Sequence, residues 1–211
     1  MALKPYKTLL KRGEDELIIN KSRFICRGAP CETEEEALDF LESVRARHKD
    51  ASHNCYAYII GTNMGIMRYS DDGEPGGTAG MPIIEVPKAQ QITNCAIVVT
   101  RYFGGILLGA GGLVRAYSQS AVLAVKASGV GTVYPTVRSM VEIDYPMLGR
   151  AEYLLKSLPV IVEDKSFTDK VTLTYIVKLS EEESVNAQMI TGLDGRFEPL
   201  RLEEVYLPWE T

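Results

Sequence analysis

The sequence contains no apolar run approaching the roughly 20 residues that a bilayer-spanning helix requires. Its first residues, Met1-Ala-Leu-Lys-Pro5, carry no apolar signal segment with a cleavage site. The expectation is therefore a cytoplasmic protein with no membrane segment. The four cysteines, Cys26, Cys31, Cys55 and Cys95, include no CxxC pair, which excludes the thioredoxin-type redox motif and the Cys-rich zinc cluster. Histidine is scarcer still, with only His48 and His53, so too few nitrogen and sulfur ligands exist to complete a metal shell. No metal and no cofactor are expected. Neither GxGxxG nor GxxxxGK[ST] occurs, so the common nucleotide fingerprints are absent. There is no internal repeat and no low-complexity segment.

What is present is an ordinary globular composition, 45% hydrophobic and 24% charged over 211 residues, enough for two small cores. The net charge of −5 argues against a general nucleic-acid binder, since phosphate affinity comes from Lys and Arg. That charge is unevenly spread. Residues 1–136 hold 15 Lys+Arg against 14 Asp+Glu, a balance of +1, whereas residues 137–211 hold 8 against 14, a balance of −6. If either half meets an anion, it is the first.

The second half reads clearly. Val137, Ser139, Val141, Ile143 and Tyr145 alternate as on a half-buried strand. Pro146 then suits a first helical turn, and Leu148, Ala151, Leu154, Leu155 and Leu158 recur at helical spacing. Strands are expected over 160–163 and 170–179 with a turn at 164–169. Ser180-Glu-Glu-Glu183 has the form of a capping box leading into a helix with Val185, Met189 and Leu193 on one face. A last strand is expected over 196–207. The order β-α-β-β-α-β is the ferredoxin-like split βαβ pattern, a fold that hosts many unrelated functions.

In the first half, residues 14–19 and 23–28 flank Asn20-Lys-Ser22 like a hairpin. Thr33-Glu-Glu-Glu36 is a second capping box, opening a helix that carries Leu38, Leu41 and Val44. Residues 55–61 and 64–69 make a second hairpin around Thr62-Asn63, and residues 95–100 form an apolar run short enough for a buried strand. The fold class is α+β in two domains, 1–136 and 137–211, and Gly/Pro signals concentrate at 73–82 and 104–112.

Four motifs stand out: Lys21-Ser-Arg-Phe24, His53-Asn-Cys-Tyr-Ala-Tyr58, Asp71-Asp-Gly-Glu-Pro-Gly-Gly-Thr-Ala-Gly80, and the long Val98-Val-Thr-Arg-Tyr-Phe-Gly-Gly-Ile-Leu-Leu-Gly-Ala-Gly-Gly-Leu-Val-Arg-Ala-Tyr117. Together they resemble the YigZ/IMPACT family over nearly the whole chain. Gly76 stands where the family usually has Ser, and Met81 where it usually has Arg. The resemblance implies an Impact N-terminal domain with a ribosomal-protein and elongation-factor-G type α/β sandwich, followed by a ferredoxin-like domain. It also implies a link to translation, with nucleic acid or the ribosome as partner, and raises interest in His53 as a site-lining residue; Tyr56 and Thr78 are further candidate site-lining positions.

The residues themselves suggest how an anion would be held. A glycine-rich run before a helix exposes free amides at the positive end of the helix dipole. Here Arg101, Gly104, Gly105, Gly109, Gly111, Gly112 and Arg115 are the candidates, with the helix expected over 113–127 and Arg115, Gln119 and Lys126 on its polar stripe. Against this stands a purely architectural reading, in which the glycines permit positive φ and Arg101 or Arg115 pairs internally with Asp72 or Glu74. Asp71, Asp72 and Glu74 place three carboxylates within four residues, suited to a cation or a general base but also to a tight turn. His53 and Cys55 face one side of a strand, as a Cys–His pair would or as a packed thiol and a hydrogen-bonding histidine would. Tyr56, Tyr58 and Tyr102 suit base stacking or a sheet face.

Three functional classes follow. The first is a translation- or stress-related regulator that binds RNA or the ribosome through the Gly/Arg site. The second is a hydrolase of a phosphorylated or nucleotide-like substrate using the Asp/Glu loop with His53. The third is a protein–protein regulator working through the acidic second domain.

Overall fold

The computed structural model describes residues 4–196 and 198–209. The chain divides between Thr132 and Val133 into a unit of Tyr6–Thr132 and a second unit made mainly of the residues that follow. Both are α+β.

The first unit begins with β1 (Tyr6–Leu9), tied by Thr93 N–H donating to the Lys7 carbonyl at 2.9 Å. Asn20 and Lys21 both take positive φ, 47° and 64°, as a two-residue hairpin turn demands. They join β2 (Gly13–Ile19) to β3 (Ser22–Pro30) with Ile19 opposite Ser22. Thr33 caps α1 (Glu34–Arg47) by accepting from Glu36 N–H at 3.2 Å. The Glu36 carboxylate returns to the Glu32 amide at 2.7 Å, one residue earlier than a standard box. Leu38, expected in the core, is exposed; α1 buries Ala37, Phe40, Leu41 and Val44 instead.

β4 (His53–Ile60), β5 (Ile66–Ser70) and β6 (Cys95–Tyr102) complete an antiparallel sheet in the order β2-β3-β6-β4-β5. α1 covers one face, where Ala29, Tyr58, Ala96 and Val98 meet Phe40 and Leu41. Two further helices, α2 (Gly80–Ala89) and α3 (Gly109–Ser128), cover the other, where Ile83, Tyr117, Ala121 and Ala124 pack on Phe24, Cys55, Ile59 and Ile97. A central strand covered on both faces reads as a continuous apolar run, which is why Cys95 to Val99 shows no alternation. α2 is the element the sequence hides: Pro82 is tolerated in its first turn, but Pro87 stands inside it, and an interior proline counts against a helix. α3 starts four residues before the expected position, so the Gly109-Ala-Gly-Gly112 run is its first turn.

In the second unit β7 (Val130–Ile143) leads through a short 3-10 turn (Tyr145–Met147) to α4 (Leu148–Ser157), then β8 (Val160–Phe167), β9 (Val171–Lys178), α5 (Glu182–Gly192) and β10 (Leu200–Pro208). Its strand order β10-β7-β9-β8, antiparallel between neighbours, is the split βαβ arrangement. Val137, Val141, Leu173, Tyr175 and Val177 bury against Ala151, Leu155, Val185 and Met189. β8 runs on to Phe167, into the expected turn of 164–169, through residues that are exposed and therefore lack the apolar signal. The expected box at Ser180 does not form. Glu181 N–H donates to the Lys178 carbonyl at 2.8 Å, and this turn carries the chain one residue further before α5 begins behind Glu181. Of the last expected strand, residues from Leu200 pair with β7; Phe197 lies outside the described residues.

Candidate functional site

The register of the first sheet brings His53 opposite Arg101, Arg23 opposite Tyr102, and Tyr56 opposite Ser70. The loops from β5 to α2 and from β6 to α3 therefore leave from the same end of the sheet, beside the β2–β3 turn. Alternation along the strands then sorts the candidate residues by face. His53, Cys55 and Arg101 project toward α2 and α3, whereas Asn54, Thr100 and Tyr102 project toward α1.

The three carboxylates of the acidic loop have three separate tasks. Asp71 Oδ1 accepts from the Ala79 and Gly80 amides at 2.9 and 2.8 Å, and Oδ2 accepts from Gly77 N–H at 2.8 Å. Asp71 thus caps α2 from nine residues away. Burial works against its charge, but these amides outweigh it and leave its pKa lowered. Asp72, at φ 44°, accepts from the Asn54 amide at 2.6 Å and lies 3.5 Å from Arg45. Its carbonyl accepts from His53 Nδ1 at 2.8 Å, so the free ring nitrogen Nε2 faces Glu74 Oε2, 3.8 Å away.

Glu74 turns inward. Its Oε1 accepts from Arg101 Nη1 and from the Tyr117 hydroxyl, both at 2.7 Å, and the Glu74 and Arg101 side chains are only 4% and 6% exposed. Arg101 Nη2 donates to Ser22 Oγ at 3.3 Å. Its guanidinium carbon stands 5.4 Å from the Phe24 ring centre and 5.5 Å from that of Phe103. Cys55 closes the cluster, its thiol donating to the Asp71 carbonyl at 3.0 Å and meeting the Tyr117 hydroxyl at 3.4 Å. Burial pushes that thiol up to about 12, and burial together with Cys55 and Glu74 pushes the Tyr117 hydroxyl far above its ordinary value. Cys55 is therefore a packed thiol donor and not a nucleophile paired with His53. Arg101, a candidate for contact with an anion, spends its charge on Glu74. Thr78 is likewise turned in, donating to the Pro75 carbonyl at 2.6 Å. Among the described residues no three His, Cys, Asp or Glu side chains are placed to hold a metal ion.

The α1 face carries a second cluster that sequence reasoning missed. Arg27 is buried and donates to Glu14 at 2.7 Å, to Thr100 Oγ1 at 3.2 Å and to His48 Nε2 at 2.7 Å. Because a guanidinium only donates, His48 Nε2 is the acceptor and Nδ1 carries the hydrogen toward the Tyr102 hydroxyl at 2.8 Å. Tyr102 in turn donates to Asp50 at 3.2 Å. Tyr56 stacks on Tyr58, the ring centres 6.1 Å apart, with the Arg45 guanidinium over its own ring. Tyr102 and Tyr56 therefore belong to this face and are separated from Arg101 by the sheet. The available signal was a cation at Arg27 on the same side of β3 as buried Ile25, since a buried cation needs partners.

The remaining candidates form the outer surface. Gly104 packs so closely that an added Cβ would lie 2.0 Å from the Lys21 carbonyl carbon, so only glycine fits. Gly105 and Gly109 take positive φ, 81° and 68°, and face open space. α3 begins without a side-chain cap. Gly111 in its first turn meets nothing but Arg115 Nη1, 3.7 Å from where a Cβ would stand, and Arg115 is exposed.

Comparison with known proteins adds relatives to this geometry. The Impact N-terminal domain family matches residues 20–125 and a domain of unknown function, DUF1949, matches residues 141–196. The chain is 37% identical over 97% of its length to the IMPACT family member YvyE of Bacillus subtilis, covering 94% of that protein. It is 34% identical over 88% of its length to the IMPACT family member YigZ of Escherichia coli, covering 92% of that protein. A crystal structure of a hypothetical protein, 30% identical, superposes with a TM-score of 0.62 over 96% of this chain and 99% of the other.

Proposed function

From its membership of the IMPACT family, we propose that the chain is a regulatory binding protein acting in translation or stress. Its first unit engages RNA, or the ribosome, at the start of α3. The family relationship supports the setting. The site is supported by one observation above all: α3 opens on bare glycine backbone, without a side-chain cap, beside the exposed guanidinium of Arg115. The first amides of a helix have no intrahelical acceptor, and with the dipole behind them they favour a phosphate oxygen. A residue such as Gly111 costs about 1 kcal/mol against Ala inside a helix, and nothing in its surroundings requires it. Close approach of a ligand to the backbone supplies the reason.

In this reading Gly109, Gly111, Gly112 and Arg115 are the contact residues. Glu74, Arg101 and Tyr117 are positioning residues, holding the β6–α3 loop from beneath. The hydrolase reading has less support, because Asp71, Asp72 and Glu74 are each committed to scaffold bonds. The test is co-sedimentation with ribosomes and binding to short RNAs, comparing the parent with Arg115→Glu. The parent binds and the variant loses binding without losing thermal stability; a parent that binds neither overturns the reading.

A further inference from the structure

Phe103 is 49% exposed, whereas Phe24 and Phe40 are buried. The backbone that carries it is nevertheless held in place. Its own N–H donates to Ser52 Oγ at 3.1 Å, and the next amide, of Gly104, donates to Ser22 Oγ at 3.2 Å. The Arg101 guanidinium lies 5.5 Å from the ring centre and is itself clamped by Glu74. An exposed aromatic ring fixed from behind by a guanidinium is organised to receive a flat partner rather than to fill a core.

Its surroundings narrow the partner. Beyond the ring lie Gly105, facing open space, and exposed Ile106 and Leu107, the latter 85% exposed. The sequence has no Asp or Glu between Glu85 and Glu142, so the loop and the whole of α3 carry no carboxylate. Lys21 and Arg115, both exposed, bracket this stretch. Glu74, which reaches the ring only through Arg101, is spent on its ion pair. The surface thus offers a stacking ring, apolar contact and the cations Lys21 and Arg115 on a loop and helix that carry no acid of their own, while the neighbouring Asp50 and Glu16 are engaged by Tyr102 and Arg23; this is complementary to a polyanion that presents bare aromatic faces. Unpaired nucleotides do so; in a duplex those faces are stacked on one another and withheld.

We propose that Phe103 is a base-stacking platform and that the ligand class of the first unit is single-stranded RNA, its base on Phe103 and its phosphate at the start of α3. This rests on the phosphate reading of α3 given above and adds the strandedness of the ligand.

The experiment is anisotropy with a short labelled RNA as a single strand and as a duplex, using the full chain, Phe103→Leu, Phe103→Tyr and Arg115→Ala. Phe103→Leu keeps the apolar contact and removes the π face. It should weaken single-strand binding about ten-fold, leave duplex binding unchanged, and unfold at the parent temperature, while Phe103→Tyr binds like the parent. Arg115→Ala should weaken both forms. Phe103→Leu binding like the parent, or a duplex bound as tightly as the single strand, overturns the stacking platform; if Arg115→Ala still weakens binding, the phosphate reading survives. Absence of RNA binding at low salt, including the case where only phosphatidylserine vesicles are bound, overturns both.

Discussion

Arg101 Nη1 lies 2.7 Å from Glu74 Oε1 across 27 residues of sequence, with both side chains almost wholly buried. This pair joins the end of β6 to the acidic loop and fixes where the Phe103–Leu108 segment leaves the sheet. Breaking a buried pair leaves one uncompensated charge, which costs about 3–5 kcal/mol. Glu74→Ala should therefore lower the urea-unfolding free energy of the first unit by about that amount. The double variant Glu74→Leu/Arg101→Met should recover much of the loss. Near-neutral Glu74→Ala would show that the pair contributes little.

Removing the α2 cap is a smaller change. Asp71→Ala strips the acceptor from three amides, of which Ala79 and Gly80 stand at the start of the helix, and should cost about 1–2 kcal/mol in the same measurement. Asp71→Asn keeps one oxygen and should lose less.

Much of this architecture is legible in the sequence, for identifiable reasons. The second unit follows from its alternating and helical periods because one face of its sheet is packed and the pattern is clean from Val137 to Ile143. The first unit is harder. Its central strands are buried on both faces, and α2 is disguised by the interior Pro87. β7 begins at Val130 but is masked by Gly131 and Pro135. For the site, composition identifies the loops but not the pairings. Four combinations of Asp72 or Glu74 with Arg101 or Arg115 satisfy the same charges, and only the fold selects Glu74 with Arg101. The Arg27–His48–Tyr102 cluster joins residues 21 to 75 positions apart and has no local signature.

His48 makes stability depend on pH. Burial, and then the neighbouring Arg27, lower its pKa below the ordinary 6.5. The unfolded chain therefore binds this proton more readily than the folded one. The contribution is complete above about 6.5 and is lost as the pH falls through the lower folded value. Protonated His48 would also face the Arg27 guanidinium with a donor in place of an acceptor. Urea unfolding from pH 8 down to pH 5 should show the parent losing stability below about pH 6.5, and His48→Gln should lose less over that window. Parallel curves would exclude the mechanism.

All four cysteines are free and buried. Burial raises Cys26 to about 11 and Cys31, Cys55 and Cys95 to about 12. Since the thiolate is the reactive form, a thiol reagent at pH 8 should leave the folded protein unlabelled and react with all four only on unfolding. Rapid labelling of Cys55 in the folded protein would contradict its assignment as a packed donor.

On the proposed function, the start of α3 with Arg115 holds phosphate. Its most direct test is the slope of log binding constant against log salt concentration for a short single-stranded RNA, measured for the parent and for Arg115→Ala. Each neutralised phosphate contributes about 0.7 to that slope for a single strand. The variant should bind more weakly with a slope shallower by about that amount. An unchanged slope and affinity would place the anion site elsewhere.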